Sequence, residues 1–68
     1  MSTQVMSVVI EMVAKQLGVE EKDVTLETIV PDIHSLGMLA AIKLGKIMVI
    51  ADIQHQYTVE EAIIELEA

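Results

Sequence analysis

The run His34-Ser35-Leu36-Gly37-Met38-Leu39-Ala40-Ala41-Ile42-Lys43-Leu44-Gly45-Lys46-Ile47-Met48-Val49-Ile50 decides how this chain is read. It is apolar at nearly every position and carries only two charges, Lys43 and Lys46. It is too short for a membrane span and long enough for a helix that must be buried or must offer its surface to something. The spacing predicts a helix over residues 35–50. Ser35 stands where an acidic loop containing Pro31 and Asp32 gives way to that helix. A hydroxyl there lies near solvent and near unsatisfied backbone N–H groups, a place suited to anchoring a phosphate ester or to acting as a plain N-cap.

Projection of residues 35–50 at 100° per residue assigns the helix faces. With Lys43 and Lys46 setting the solvent side, Ala41, Leu44, Gly45 and Met48 turn toward the core. Leu39 and Ile50 fall between the lysines, and Leu36 and Ile47 at the edge. Those four are candidate docking residues beside Ser35, weighed against the ordinary scatter of exposed apolar side chains.

Outward from this run, the chain reads as two more helices and a long first connection. In the N-terminal segment Gln4, Ser7, Glu11 and Lys15 form a polar stripe at helical spacing, opposed by Met6, Ile10, Val13 and Leu17. Gly18 is placed to end that helix in the left-handed conformation. Residues 19–34 mix acidic and β-branched types, and Val24, Leu26, Ile29 and Val30 are expected to pin this connection to the core. The last helix begins at Thr58, where Thr58 and Glu61 make a capping box, with Val59, Ala62, Ile63 and Leu66 as the buried face. The expectation is a small all-α bundle of three main helices in one domain, residues 1–68.

Composition narrows the function. Eleven acidic residues against four lysines give a formal charge of −7, and Tyr57 is the only aromatic. Such a chain repels phosphate backbones and has no stacking platform, so nucleic acid is not an expected partner. Cysteine is absent and the two histidines lie far apart, so neither a disulfide framework nor a metal site is expected. No basic segment precedes the first apolar residues, and a cytoplasmic protein without membrane association is expected. His34 beside Ser35 is not a catalytic dyad, because neighbouring helical residues point about 100° apart and no orienting third group or oxyanion site accompanies them. His55 and Tyr57 carry no assigned chemistry.

Three pieces of the chain, in order, resemble the phosphopantetheine-dependent carrier proteins of fatty acid, polyketide and non-ribosomal peptide synthesis. Val13-Ala14-Lys15-Gln16-Leu17-Gly18-Val19 followed by Glu21-Lys22-Asp23-Val24-Thr25 is similar to the first helix and following loop of acyl carriers. His34-Ser35-Leu36 resembles the Gly-Gly-His-Ser-Leu modification motif of peptidyl carriers, where acyl carriers generally have Asp-Ser-Leu. Asp52-Ile53 through Thr58-Val59-Glu60-Glu61 is similar to the segment that opens the last helix of both.

The resemblance implies a non-catalytic carrier. A phosphopantetheinyl transferase would esterify Ser35 with 4′-phosphopantetheine from coenzyme A. The arm's thiol would then hold acyl or aminoacyl intermediates as thioesters for loading, chain-extending and chain-transferring enzymes. Leu36, Leu39, Lys43, Lys46 and Ile47 fall where the family docks its enzymes, and Ile50 adjoins them by the helical projection. Both connections are shorter than in typical carriers, so the family's short third helix, within residues 51–57, is expected to be reduced or absent. That would leave an apolar edge open to self-association in an otherwise monomeric protein. The alternatives are an unmodified carrier-fold interaction module and an apolar helical dimerisation unit unrelated to carriers.

Overall fold

The computed structural model of the protein describes residues 2–52 and 54–68. Among them are three helices, α1 (Thr3–Leu17), α2 (Ile33–Leu44) and α3 (Val59–Glu67), with a single 3-10 turn at Glu21–Asp23 in the first connection. The only β-type pairing among the described residues is an isolated antiparallel bridge between Ile29 and Thr58. The protein is thus a small all-α bundle, in which α1 packs against both other helices.

Helix α1 starts at Ser2, whose side chain accepts a hydrogen bond from the Val5 N–H. It closes at Gly18, where Gly18 N–H donates to Lys15 C=O and Val19 N–H to Ala14 C=O, the paired bonds of a Schellman motif. The polar stripe lies as the spacing predicts, with Gln4, Ser7 and Lys15 exposed. The apolar side is wider than predicted. Val5, Val9 and Val13 form its buried ridge, Met6 and Ile10 are half-buried at its flank, and Leu17 at the helix end is exposed. Two neighbouring helices cover α1 over a broad arc, which centres burial on the valines four residues apart.

Helix α2 begins two residues before Ser35 and stops short of Ile50. Asp32, not Ser35, is its N-cap. At its far end Gly45 adopts φ 66° and its N–H donates to Ala41 C=O, a left-handed closure that glycine makes without a Cβ penalty. A glycine expected in the helix interior is therefore its terminator, and Lys46, Ile47, Met48 and Ile50 are not on the helix at all.

This shorter helix also corrects its phase. Leu36 and Ala40 are fully buried, with Ile33 and Leu44 packed partly against the core, whereas Ala41 and Gly45 are exposed. Leu36 is consequently a core residue and not a docking residue. Leu39 is half-buried, and Ile50 packs partly against the core. The reason is Lys43. Its Nζ lies 3.2 Å from Glu11 Oε1 on α1, so it marks the seam between two helices and not the outward pole. The outward pole is apolar, at Met38 and Ile42. Met48 does reach the core, as expected, but from the irregular segment after Gly45.

The long first connection is held partly by side chains and more by backbone. Val24 and Val30 are buried, while Leu26 and Ile29, expected to pin it, are exposed. In their place Val30 N–H donates to Tyr57 C=O (2.8 Å), Val59 N–H to Thr28 C=O (2.8 Å) and Glu60 N–H to Leu26 C=O (3.0 Å). Thr58 and Glu61 form the predicted capping box, Thr58 Oγ1 accepting from Glu61 N–H and Glu61 Oε1 from Thr58 N–H. Val59, Ala62, Ile63 and Leu66 are buried as predicted. No described residue between Gly45 and Thr58 is helical, in keeping with an expected missing short helix; Ile53 lies outside the described residues.

Two substitutions test the corrected α2. Leu36→Ala, which empties a wholly buried site, should cost about 2–5 kcal/mol in urea unfolding. An effect within about 0.5 kcal/mol would return Leu36 to the surface. Gly37→Ala should instead stabilise by about 0.5–1 kcal/mol, since a Cβ there would meet only Met48 Cβ at an ordinary 3.8 Å.

Candidate functional site around Ser35

Ser35 is the third residue of α2 and is half-exposed. Its position is set from the preceding loop. The Asp32 carboxylate accepts two hydrogen bonds from it, Oδ1 from the Ser35 N–H at 3.1 Å and Oδ2 from the Ser35 hydroxyl at 2.8 Å. One acidic side chain therefore caps the helix and orients the serine Oγ. Ser35 is therefore not itself the N-cap, a role that Asp32 fills.

Asp32 is in turn held by α1. Gln16 Nε2 donates to Asp32 C=O at 2.8 Å, and Asp32 N–H donates to Gln16 Oε1 at 2.9 Å. This two-way grip on the backbone of one residue fixes where α2 starts relative to α1. The sequence offered a faint signal for the cap, an Asp just before an apolar run, and none for the glutamine sixteen positions away.

The electrostatics follow from these contacts. The Ser35 hydroxyl, then the Ser35 N–H, hold the Asp32 carboxyl below the usual aspartate range. Lys43, then Lys15, do the same for Glu11. The Thr58 N–H, then His55, lower Glu61. His55 Nε2 stands 2.7 Å from Glu61 Oε2, and its ring meets buried Tyr57 edge-on at 4.8 Å. His34 is exposed and makes no hydrogen bond with Ser35 among the described residues. A cleft of about 310 Å³ opens beside this turn, lined by Val30, Pro31, Asp32, His34, His55 and Tyr57 among others. The described residues contain no cluster of three or more acidic, histidine or cysteine side chains that could hold a metal ion. No described helix is long and apolar enough to cross a membrane.

The remaining candidate docking residues do not form one helical face. Lys43 is engaged with Glu11, while Lys46 and Ile47 are exposed beyond the helix end. The large apolar side chains most open to solvent near the site are Met38 (68 %), Ile42 (79 %), Ile47 (82 %) and Val49 (71 %). Met38 and Ile42 were not picked out from the sequence because Lys43, at the seam with α1, was taken for the outward pole, and Val49 because the helix was carried past Gly45. Comparison with family models, curated proteins and solved structures gives no match for this chain.

Acid stability provides the test of this electrostatic frame. A carboxyl with a lowered pKa in the folded state binds fewer protons there than in the unfolded chain. Its stabilising contribution is fully present above the unfolded carboxylate range near 4 and is lost as pH falls through the lower folded value. Unfolding midpoints should therefore drop below about pH 4. Asp32→Asn, which can still accept from Ser35 but does not titrate, should flatten that acid limb. An unchanged slope in Asp32→Asn would show that Asp32 does not carry the linkage.

Proposed function

We propose that the protein is a carrier that bears 4′-phosphopantetheine on Ser35 and presents thioester-bound acyl or aminoacyl groups to separate biosynthetic enzymes, without catalytic activity of its own. The observation that carries this reading is the oriented, half-exposed Ser35 hydroxyl in the first turn of α2, within a chain whose three sequence pieces resemble carriers in order. A transferase would join Ser35 Oγ to the phosphate of the pantetheine arm and release the nucleotide part of coenzyme A. Asp32 aligns the hydroxyl for that attack. With its pKa lowered it is a weak base, so the enzyme would have to take up the hydroxyl proton.

The surface available to such enzymes is apolar near the attachment point. Met38 and Ile42, four residues apart on the outward side of α2, with Ile47 and the exposed Lys46 beyond its end, are the groups a partner would meet. Residues 33–50 contain no acidic side chain, so docking at this helix would draw on apolar burial more than on attraction to basic surfaces.

One observation favours a second reading, an interaction module of the same fold that is not modified. The first-turn N–H of Ser35 and its hydroxyl are already satisfied by the Asp32 carboxylate, and a phosphate placed on Oγ would bring a second negative charge beside it.

Both readings are separated by incubation with coenzyme A and a broad-specificity phosphopantetheinyl transferase, followed by intact mass and peptide mapping. The carrier reading expects one added phosphopantetheine group, absent in Ser35→Ala. An unchanged mass in folded protein with several transferases selects the module, and modification that persists in Ser35→Ala removes the site assignment. A second readout accompanies the first: the ester cannot donate a hydrogen bond, so on modification the Asp32 pKa should rise in an NMR titration. No movement of Asp32 would mean that the hydroxyl contact does not exist in solution.

A further inference from the structure

Beyond Gly45 the chain changes character. From Lys46 to Ala51 no backbone N–H or C=O makes a hydrogen bond to any described residue, and Asp52 contributes only its C=O, to the His55 N–H at 3.2 Å. Backbone groups of this kind are strong donors and acceptors that ordinarily find partners. The side chains meanwhile alternate. Ile47 is exposed, Met48 buried, Val49 exposed and Ile50 half-buried. That is the two-residue period of a strand with one face on a core, and Ile-Met-Val-Ile is a strand-favouring composition. Unpaired backbone and alternating burial together are the pattern of an edge strand without a sheet.

Natural edges are commonly blocked by proline, by a bulge or by a charge in mid-strand. Residues 47–51 contain no proline and no charge; the charges stand at the two ends, Lys46 and Asp52, both exposed. They are opposite in sign and six residues apart, so they lie on the same side of an extended chain. Antiparallel pairing of two copies about Val49 would set Val49 opposite Val49 and Met48 opposite Ile50. At each end of the ladder it would set Lys46 of one copy opposite Asp52 of the other. Opposite charges directly across a ladder stabilise it, and a two-fold pairing uses the same patch on both copies.

We propose that residues 46–52 are a homodimerisation strand, pairing antiparallel about Val49 with the same segment of a second copy. The occupant is another copy and not a foreign strand because the end charges complement themselves in this one register. The pairing does not depend on whether Ser35 is modified.

The test is sedimentation velocity on the full chain over a wide concentration range, at about 0.15 M salt, where screening weakens the repulsion between two acidic copies. The wild type should shift from monomer to dimer with concentration. Lys46→Asp alone and Asp52→Lys alone, which set like charges opposite each other, should remain monomeric. An equimolar mixture of these two variants should form a dimer again, a rescue that loss of fold could not produce. Val49→Lys, which opposes two lysines at the centre, should raise the dissociation constant several-fold. A wild type that stays monomeric throughout overturns the proposal, as do single-charge variants that dimerise normally or a mixture that is not rescued. Loss of the dimer in Ile42→Lys but not in Val49→Lys overturns it as well, by placing the contact on the outward face of α2.

Discussion

The first N–H groups of a helix have no intrahelical backbone partner, and at α3 the long first connection and the capping box between them satisfy these groups. Val59 and Glu60 donate to Thr28 C=O and Leu26 C=O in the long first connection, Glu61 to the Thr58 side chain and Thr58 to the Glu61 side chain. The same few residues of the connection that satisfy the start of α3 lead directly into Val30, whose N–H reaches Tyr57, and then into Asp32. A connection with few buried side chains is thereby ordered with no more helix of its own than the 3-10 turn at Glu21–Asp23. Nine-residue α3, too short to be stable alone, gains a fixed starting point.

From that anchor the order passes to the candidate site. Val30 is tied to Tyr57, Asp32 is gripped by Gln16, and Ser35 is held by Asp32. The serine is thus placed by contacts to two segments distant in sequence, one before and one after it. A surface serine held in this way loses little further freedom when a partner engages it, which lowers the ordering cost of recognition. The cap that places it also competes for it, since the carboxylate uses the hydroxyl that modification would consume.

What the sequence revealed and what it concealed divide along local and non-local lines. The capping box at Thr58 and Glu61, the closure at Gly18 and the buried face of α3 were legible because each depends on residues within a few positions of one another. The wide buried arc of α1 and the Gln16 grip on Asp32 were not, because they depend on which helices come to lie alongside. The phase of α2 failed for both reasons at once. A glycine with lysines on either side reads equally well as interior or terminus, and a lysine reads as solvent-facing until its glutamate is found on another helix. Ser35 itself was legible as a residue of interest, but not as the third residue of its helix.

Ending α2 at Gly45 has a cost and a consequence. A helix continued to Ile50 would satisfy the backbone of residues 46–50 internally, but its period of 3.6 would carry Met48 and Ile50 around the axis and could not seat both against the same side of the core. The irregular path seats Met48 in the core and Ile50 partly against it, and in exchange leaves the backbone of residues 46–51 without partners among the described residues. The burial of Met48 and Ile50 offsets the loss of local backbone hydrogen bonds, which water can replace. All eleven acidic residues lie outside positions 33–50, so the part of the surface that this choice exposes is also the part where negative charge is absent. Charge repulsion keeps the acidic remainder of two molecules apart, while the weakly charged surface around Ile47 and Val49 is where close approach costs least. The same break that shapes the core therefore sets which side of the protein can meet another.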